Sequence, residues 1–293
     1  VPFSNIPMNL RVPLFYAEVD NSQANSGAQT QRTLIIGQVL ASGSAVVGVP
    51  VLGQGVTDAQ AKGGQGSLLA LMTAAYVAAD QFGEVWFLPL ADAEGSVAAK
   101  GSVLIAGAPT TTGVVSLYIA GQLISLTVTT GEAPADIATA LAKLINASGN
   151  LPVTAVATAA TVALTAKNKG IAGNEIDLRL NYRGTPSGEA VPTGLQLTLT
   201  ALTGGATNPV LGTALASLGD EPFDFIVCPY TDTASLDALK ALLNDKTGRW
   251  SYASQVYGHV FAAQRGTLAA LATAGNARNN QHESIMGFYD SPS

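Results

Sequence analysis

The chain has 293 residues, 47% hydrophobic and only 12% charged, with a net charge of −6. That length suits about two domains with a sizeable core, and so sparse a charge, about half the usual share, points to a weakly charged surface partly covered by copies of itself. The acidic balance, with Lys and Arg scattered rather than clustered, excludes a surface that tracks nucleic acid, and a single cysteine, Cys228, excludes a disulfide framework or a cysteine-rich metal site.

The mean hydropathy of +0.29 raises the question of a membrane. The longest helical apolar run, Leu68–Ala79, falls short of the roughly 20 residues a bilayer span needs. The opening VPFSNIPMNLRVPLF lacks the basic-then-apolar plan of a signal peptide. The expectation is a soluble chain without membrane insertion, retained where it is made. A start at Val1 rather than Met reads as a processed or trimmed end.

Residues 1–31 read as an arm. Pro2, Pro7 and Pro13 oppose a helix, Val12–Val19 suits an extended strand, and Asp20–Gln31 is polar and loop-like. Arg32–Val39, RTLIIGQV, is predicted as the first buried strand. Ala41–Gly66 is punctuated by Gly and Pro. Ser67–Phe82 reads as a helix with Leu68, Leu71, Met72, Ala75 and Ala79 on its core face and Gly83 as its stop. Glu84–Leu90, EVWFLPL, then reads as a central strand covered on both faces. Strand, helix, strand of this kind predicts a parallel pair.

Beyond Ala91 the pattern turns to alternation. Val114–Val128 is predicted as a hairpin turning at Gly121-Gln122. Pro134–Asn146 suits a helix with Pro134 in its first turn and Ile137, Leu141, Leu144 and Ile145 as its stripe. Val153–Ala157, Thr161–Ala166, Ile176–Leu180 and Leu195–Ala201 are candidate strands, the last alternating as in a sheet with one wet face. After Gly204-Gly205 the first pattern returns. It gives a strand at Phe223–Pro229, a helix at Ser235–Leu243 capped by Asp232 or Thr233, and a strand at Val256–Ala262. A helix at Thr267–Asn276 and a strand at Ser284–Tyr289 complete it. The fold class is α/β: a mainly parallel sheet with helices on its faces, interrupted by an antiparallel, β-rich α+β insert. Residues 32–98 and 206–293 would share one sheet, with residues 99–205 inserted.

Groups that could carry chemistry are few. His259 lies in a strand-like run and reads as a packed or hydrogen-bonded histidine. His282-Glu283 reads as a solvated surface pair. Cys228, inside FDFIVCPY, reads as a buried apolar side chain. Gly48–Gly66 lacks the third glycine of a dinucleotide fingerprint and the Gly-Lys-Ser/Thr of a phosphate loop. Lys246-Thr247-Gly248 has no Ser-x-x-Lys partner. Asp220, Glu221 and Asp224 precede a strand and read as a solvated loop. The expected site list is therefore empty of catalytic, cofactor-binding and metal-binding residues.

The order of these blocks resembles the tail sheath proteins of Mu-like contractile phages and related contractile bacteriocins. The resemblance is carried by VPLFYAEVDNSQA at Val12–Ala24, RTLIIGQ at Arg32–Gln38, and LYIAGQLISLTVTTGEAPADIATALAKLINA at Leu117–Ala147. LTAKNKGIAGNEIDLRL at Leu164–Leu180 and FDFIVCPYTD at Phe223–Asp232 complete it. It covers nearly the whole chain.

The resemblance implies a non-enzymatic subunit of a virion, assembled in the host cytoplasm. Such subunits form hexameric rings in a helical sheath around the tail tube, with baseplate and tail-terminator proteins as further partners, and contract to drive the tube through the host envelope. Residues 32–98 and 206–293 would form the sheath domain, and residues 99–205 would decorate its outside. The arm, with Phe15, Tyr16, Glu18, Asp20 and Asn21, would contact neighbouring subunits by adding a strand to their sheets. Family members continue beyond the point where this chain stops, so the 293-residue polypeptide is expected to be shortened and mainly monomeric. Two readings of other classes stand beside this one. They are a surface adhesion or glycan-binding module and an α/β nucleotide-binding enzyme.

Overall fold

Apolar runs with no polar face make strands covered on both sides, and two such runs organise the molecule. The computed structural model describes residues 31–289. Arg32–Gln38 forms β1, Val51–Gly53 β2, Val56–Gly63 α1, Leu68–Ala79 α2 and Glu84–Leu90 β3. β1 and β3 run parallel, in register from Arg32 opposite Glu84 to Gln38 opposite Leu90. Every residue of β1 after Arg32 is buried. β2 and α1 were not anticipated in the glycine-punctuated stretch.

α2 starts where Ser67 accepts a hydrogen bond from the Ala70 N–H at 3.1 Å. It ends before the predicted stop. Asp80 Oδ1 accepts from the Phe82 and Gly83 N–H groups, both at 3.1 Å, closing the helix with an Asx turn. The face it buries also differs from the prediction. Leu69, Ala70 and Thr73 are buried, whereas Leu68, Leu71 and Met72 are half-buried and Ala75 and Ala79 exposed. LLALMTAAYVAA is apolar on nearly every side, so periodicity alone cannot mark its core face. What selects the face is Gly37 on β1, where an added Cβ would lie 2.8 Å from the Leu69 Cα.

The middle of the chain forms β4 (Lys100–Ala106), β5 (Gly113–Ile119), β6 (Gln122–Val128) and α3 (Pro134–Ala147). β7 (Val153–Thr158), β8 (Thr161–Ala166), β9 (Leu178–Leu180) and β10 (Gln196–Thr203) follow. Two antiparallel sheets result, in the orders β10-β4-β8-β7 and β6-β5-β9. The hairpin turns one residue earlier than predicted. Ala120 and Gly121 both take positive φ (47° and 74°), the pattern of a two-residue turn that matches strand twist. α3 buries Ile137, Ala138, Leu141, Ala142 and Ile145, while Leu144 of the predicted stripe faces solvent. These side chains join Val103, Val115, Leu117, Val153 and Leu164 in a core drawn only from residues 99–202.

The last part forms α4 (Gly212–Ala216), β11 (Phe225–Val227), α5 (Thr233–Leu243), β12 (His259–Arg265), α6 (Leu268–Ala277) and β13 (Glu283–Phe288). Asp232 caps α5, its side chain accepting from the Ser235 N–H at 3.0 Å. β11 pairs with β1 and completes a six-stranded sheet in the order β13-β12-β11-β1-β3-β2, parallel except at β2. Alternate residues feed its two faces. Leu34, Ile36, Leu88, Ile226 and Cys228 pack with Leu239 and Leu243 of α5. Ile35, Val85 and Phe87 pack with Leu69 of α2.

Candidate functional site

In open α/β sheets, ligands bind beyond the carboxyl ends of the strands where the winding reverses. Here the reversal falls at β1, between β3 and β11. Gln38 ends β1, Asp92 follows β3, and Tyr230 and Asp232 follow β11. The chain's own loop 167–171 lies across this end of the sheet. Gln38 Nε2 donates to Asp92 Oδ1 and to the Lys169 carbonyl, both at 2.7 Å. The Lys169 N–H donates to Asp92 Oδ2 at 3.2 Å. Asn168 accepts from the Leu68 N–H at 2.9 Å and donates to the Val39 carbonyl at 3.2 Å. Asn208 continues the seam, donating to Asp232 Oδ2 at 2.8 Å and accepting from the Ile171 N–H at 3.0 Å.

The electrostatics fit a seal. Burial pushes the Asp232 carboxyl up, but hydrogen bonds from Asn208 and Ser235 outweigh it and leave the group below its usual range. Burial pushes the Tyr230 hydroxyl well above its ordinary value, and the charges of Cys228, Asp92 and Asp232 add to the rise. Burial likewise pushes the Cys228 thiol up to about 12. These groups are held in the protonation states that structure needs, and none is poised near neutrality as a general acid or base would be.

Beside the seal runs an apolar groove of about 440 Å³. Leu68, Leu71, Met72 and Ala75 of α2 form one wall, and Pro152, Ala166, Ala172 and Ile176 form the other. Gln122, Asn168 and Glu175 contribute its polar atoms. Four of the five α2 residues predicted as core, Leu68, Leu71, Met72 and Ala75, therefore line a surface groove.

The sequence-selected groups fall elsewhere. His259 Nε2 lies 2.9 Å from Ser284 Oγ. Burial holds its pKa below the ordinary imidazole value, helped by the neighbouring His282. His282 is not a solvated surface residue. It is 6% exposed, stacks on Trp250 with ring centroids 4.4 Å apart, and lies 2.9 Å from Asp245 Oδ1. The two histidines thus have separate partners and do not assemble a Ser-His-Asp relay. Lys246-Thr247-Gly248 is a turn whose three N–H groups converge on Asn244 Oδ1 at 2.7–3.1 Å. In Gly48–Gly66 the lysine, Lys62, is paired with Asp58 at 2.6 Å.

Glu221 and Asp224 are solvent-exposed but engaged with Arg32. Its guanidinium lies 3.1 Å from Glu221 and 2.9 Å from Glu84, and its N–H donates to Asp224 at 2.8 Å. Phe15, Tyr16, Glu18, Asp20 and Asn21 lie outside the described residues. Among the described residues no cluster of three or more His, Cys, Asp and Glu could hold a metal, and no helix is long and apolar enough to cross a membrane.

Residues 204–292 match the family model described as the phage tail sheath protein central domain. Over 294 aligned residues the chain is 41% identical to the Mu-like prophage FluMu tail sheath protein of Haemophilus influenzae, a match that takes in all of this chain and 59% of that protein. A solved sheath tail protein from Listeria innocua aligns with 80% of this chain and 48% of its own, at 14% identity and a TM-score of 0.30. The chain is thus similar along its whole length to a prophage tail sheath protein, of which it spans 59%, and over residues 204–292 to the central domain of phage tail sheath proteins.

Proposed function

We propose that the chain is a structural, non-enzymatic part of a contractile phage tail sheath. In this reading the full-length protein polymerises as hexameric rings around the tail tube, and the lattice contracts to drive the tube through the host envelope. The tail tube, baseplate and tail-terminator proteins are its neighbours, and the virion is its destination after assembly in the host cytoplasm. The observation that carries the reading is the 41% identity to a tail sheath protein over the entire chain. The loop-filled crevice supports a structural role, because Gln38 Nε2 and both Asp92 carboxylate oxygens are engaged in holding the chain's own loop.

The division of labour proposed is an arm at 1–31, a rigid sheath domain from 32–98 and 206–293, and an outer insert at 99–205. Phe15, Tyr16, Glu18, Asp20 and Asn21 are assigned to contacts between subunits, where an added strand gives affinity through main-chain hydrogen bonds. Rigid bodies joined by arms suit a lattice with two states.

Electron microscopy of the chain extended to the length of its relative tests this. Tubes of contractile type are expected, and their absence under conditions that keep the protein soluble and folded would refute the proposal. The 293-residue chain itself should sediment mainly as a monomer; stable hexamers would contradict that part.

A further inference from the structure

Burial falls away across the six-stranded sheet. β1 is buried after its first residue, β12 alternates buried with exposed, and β13 buries no residue at all. α6, LAALATAGNA, is a largely apolar helix that also buries none, although α5 in the same half of the chain buries Leu236, Leu239 and Leu243. Leu268 is 85% exposed, and Met286 and Tyr289 are each 72% exposed. The outer edge of β13 has no partner strand among the described residues. An apolar helix normally hides a face, and an unpaired apolar edge strand is a liability that proteins cover.

What covers it can be argued from chain length. The family model that ends at residue 292 describes a central domain. The curated relative carries further polypeptide, since this chain spans 59% of its length. β13 is the last element described, so a continuing chain would emerge beside the open edge, at high effective concentration for docking there. A separate copy has no such advantage.

We propose that α6 and β13 form the docking face for the flanking domain of the longer protein, which adds a strand to β13 and an apolar surface over Leu268 and Met286. This rests on the homology to sheath proteins. Reactivity of single introduced thiols tests it. Leu268→Cys and Met286→Cys are made both in the 293-residue chain and in the polypeptide extended to the relative's length, each kept monomeric. Neither position is buried, so folding is not at stake, and native Cys228, 1% exposed, supplies a silent background. Val156→Cys, at an exposed position of β7, serves as the control that should label equally in both.

Maleimide labelling at 268 and 286 should be at least about tenfold slower in the extended monomer, as expected for groups that react only on local opening. Equal rates in the two polypeptides would overturn the proposal. So would protection that appears only as protein concentration rises, because a second copy would then be the cover. A protected monomer that never forms tubes would leave the docking face standing and remove the sheath function; tubes built from unprotected monomers would do the reverse.

Discussion

Cys228 and His282 show how little of a side chain's role is local. The thiol sits among Leu34, Ile36 and Tyr230, and its pKa of about 12 reflects lost hydration. In the native chain it should be inert to a disulfide reagent at about pH 8 and react once denaturant is added; prompt native reaction would show that this end of β11 is open. Because the folded pKa is raised, the unfolded chain ionises first. Stability should therefore fall as pH climbs past about 8.5, the ordinary thiol value, towards the folded one. Cys228→Ala should flatten that slope in urea melts taken across the range. His282 fills the space between Trp250 and Asp245. His282→Ala is expected to cost on the order of 2 kcal/mol in urea unfolding, as removal of a buried ring does. His259→Gln, whose side chain is only partly covered, should cost much less.

At the level of elements, tight places and seams govern stability. Gly37→Ala would press a methyl group against the backbone of α2, so a loss of about 1–3 kcal/mol is expected, with an unchanged denaturant slope. Asp92→Ala strips acceptors from Gln38, Asn168 and Lys169 at once. The cost should be about 1–3 kcal/mol, with faster amide exchange confined to the loop 167–171; uniform exchange would mean that the seam is not a local structure.

Much of this level could be read from the sequence. Glu84–Leu90 has the bounds predicted because a short apolar run set off by Gly83 leaves little choice, although Pro89 lies within the strand rather than ending it. β2, α1, β4 and α4 were missed because Gly, Ser and Ala obscure their periodicity. The groove was invisible for a different reason. On a helix apolar all round, the face that packs is decided by Gly37, far upstream on β1. The burial of His282 likewise depends on Trp250 and Asp245, which only the fold brings near. The proposed arm contacts fall on residues outside the described structure.

For the whole molecule, the separation of cores is the main fact. The core of residues 99–202 shares no buried side chain with those of the six-stranded sheet. A segment that owns its core can fold alone. Residues 99–205 produced by themselves are expected to give a dispersed amide spectrum and a cooperative melt; a collapsed spectrum would show that the insert depends on the sheet. The chain enters and leaves this segment through a pair of residues, Val97 and Ala206, that exchange both backbone hydrogen bonds at 3.0 and 3.1 Å. With that clasp shut, the sheet meets the whole excursion as a loop whose ends already touch. Closure entropy rises only slowly with loop length, by about 0.6 kcal/mol per doubling. A shorter or a longer excursion that keeps the loop 167–171 on the sheet could hang from the same clasp at nearly the same closure cost, which makes the clasp a natural joint for trimming or extending this segment.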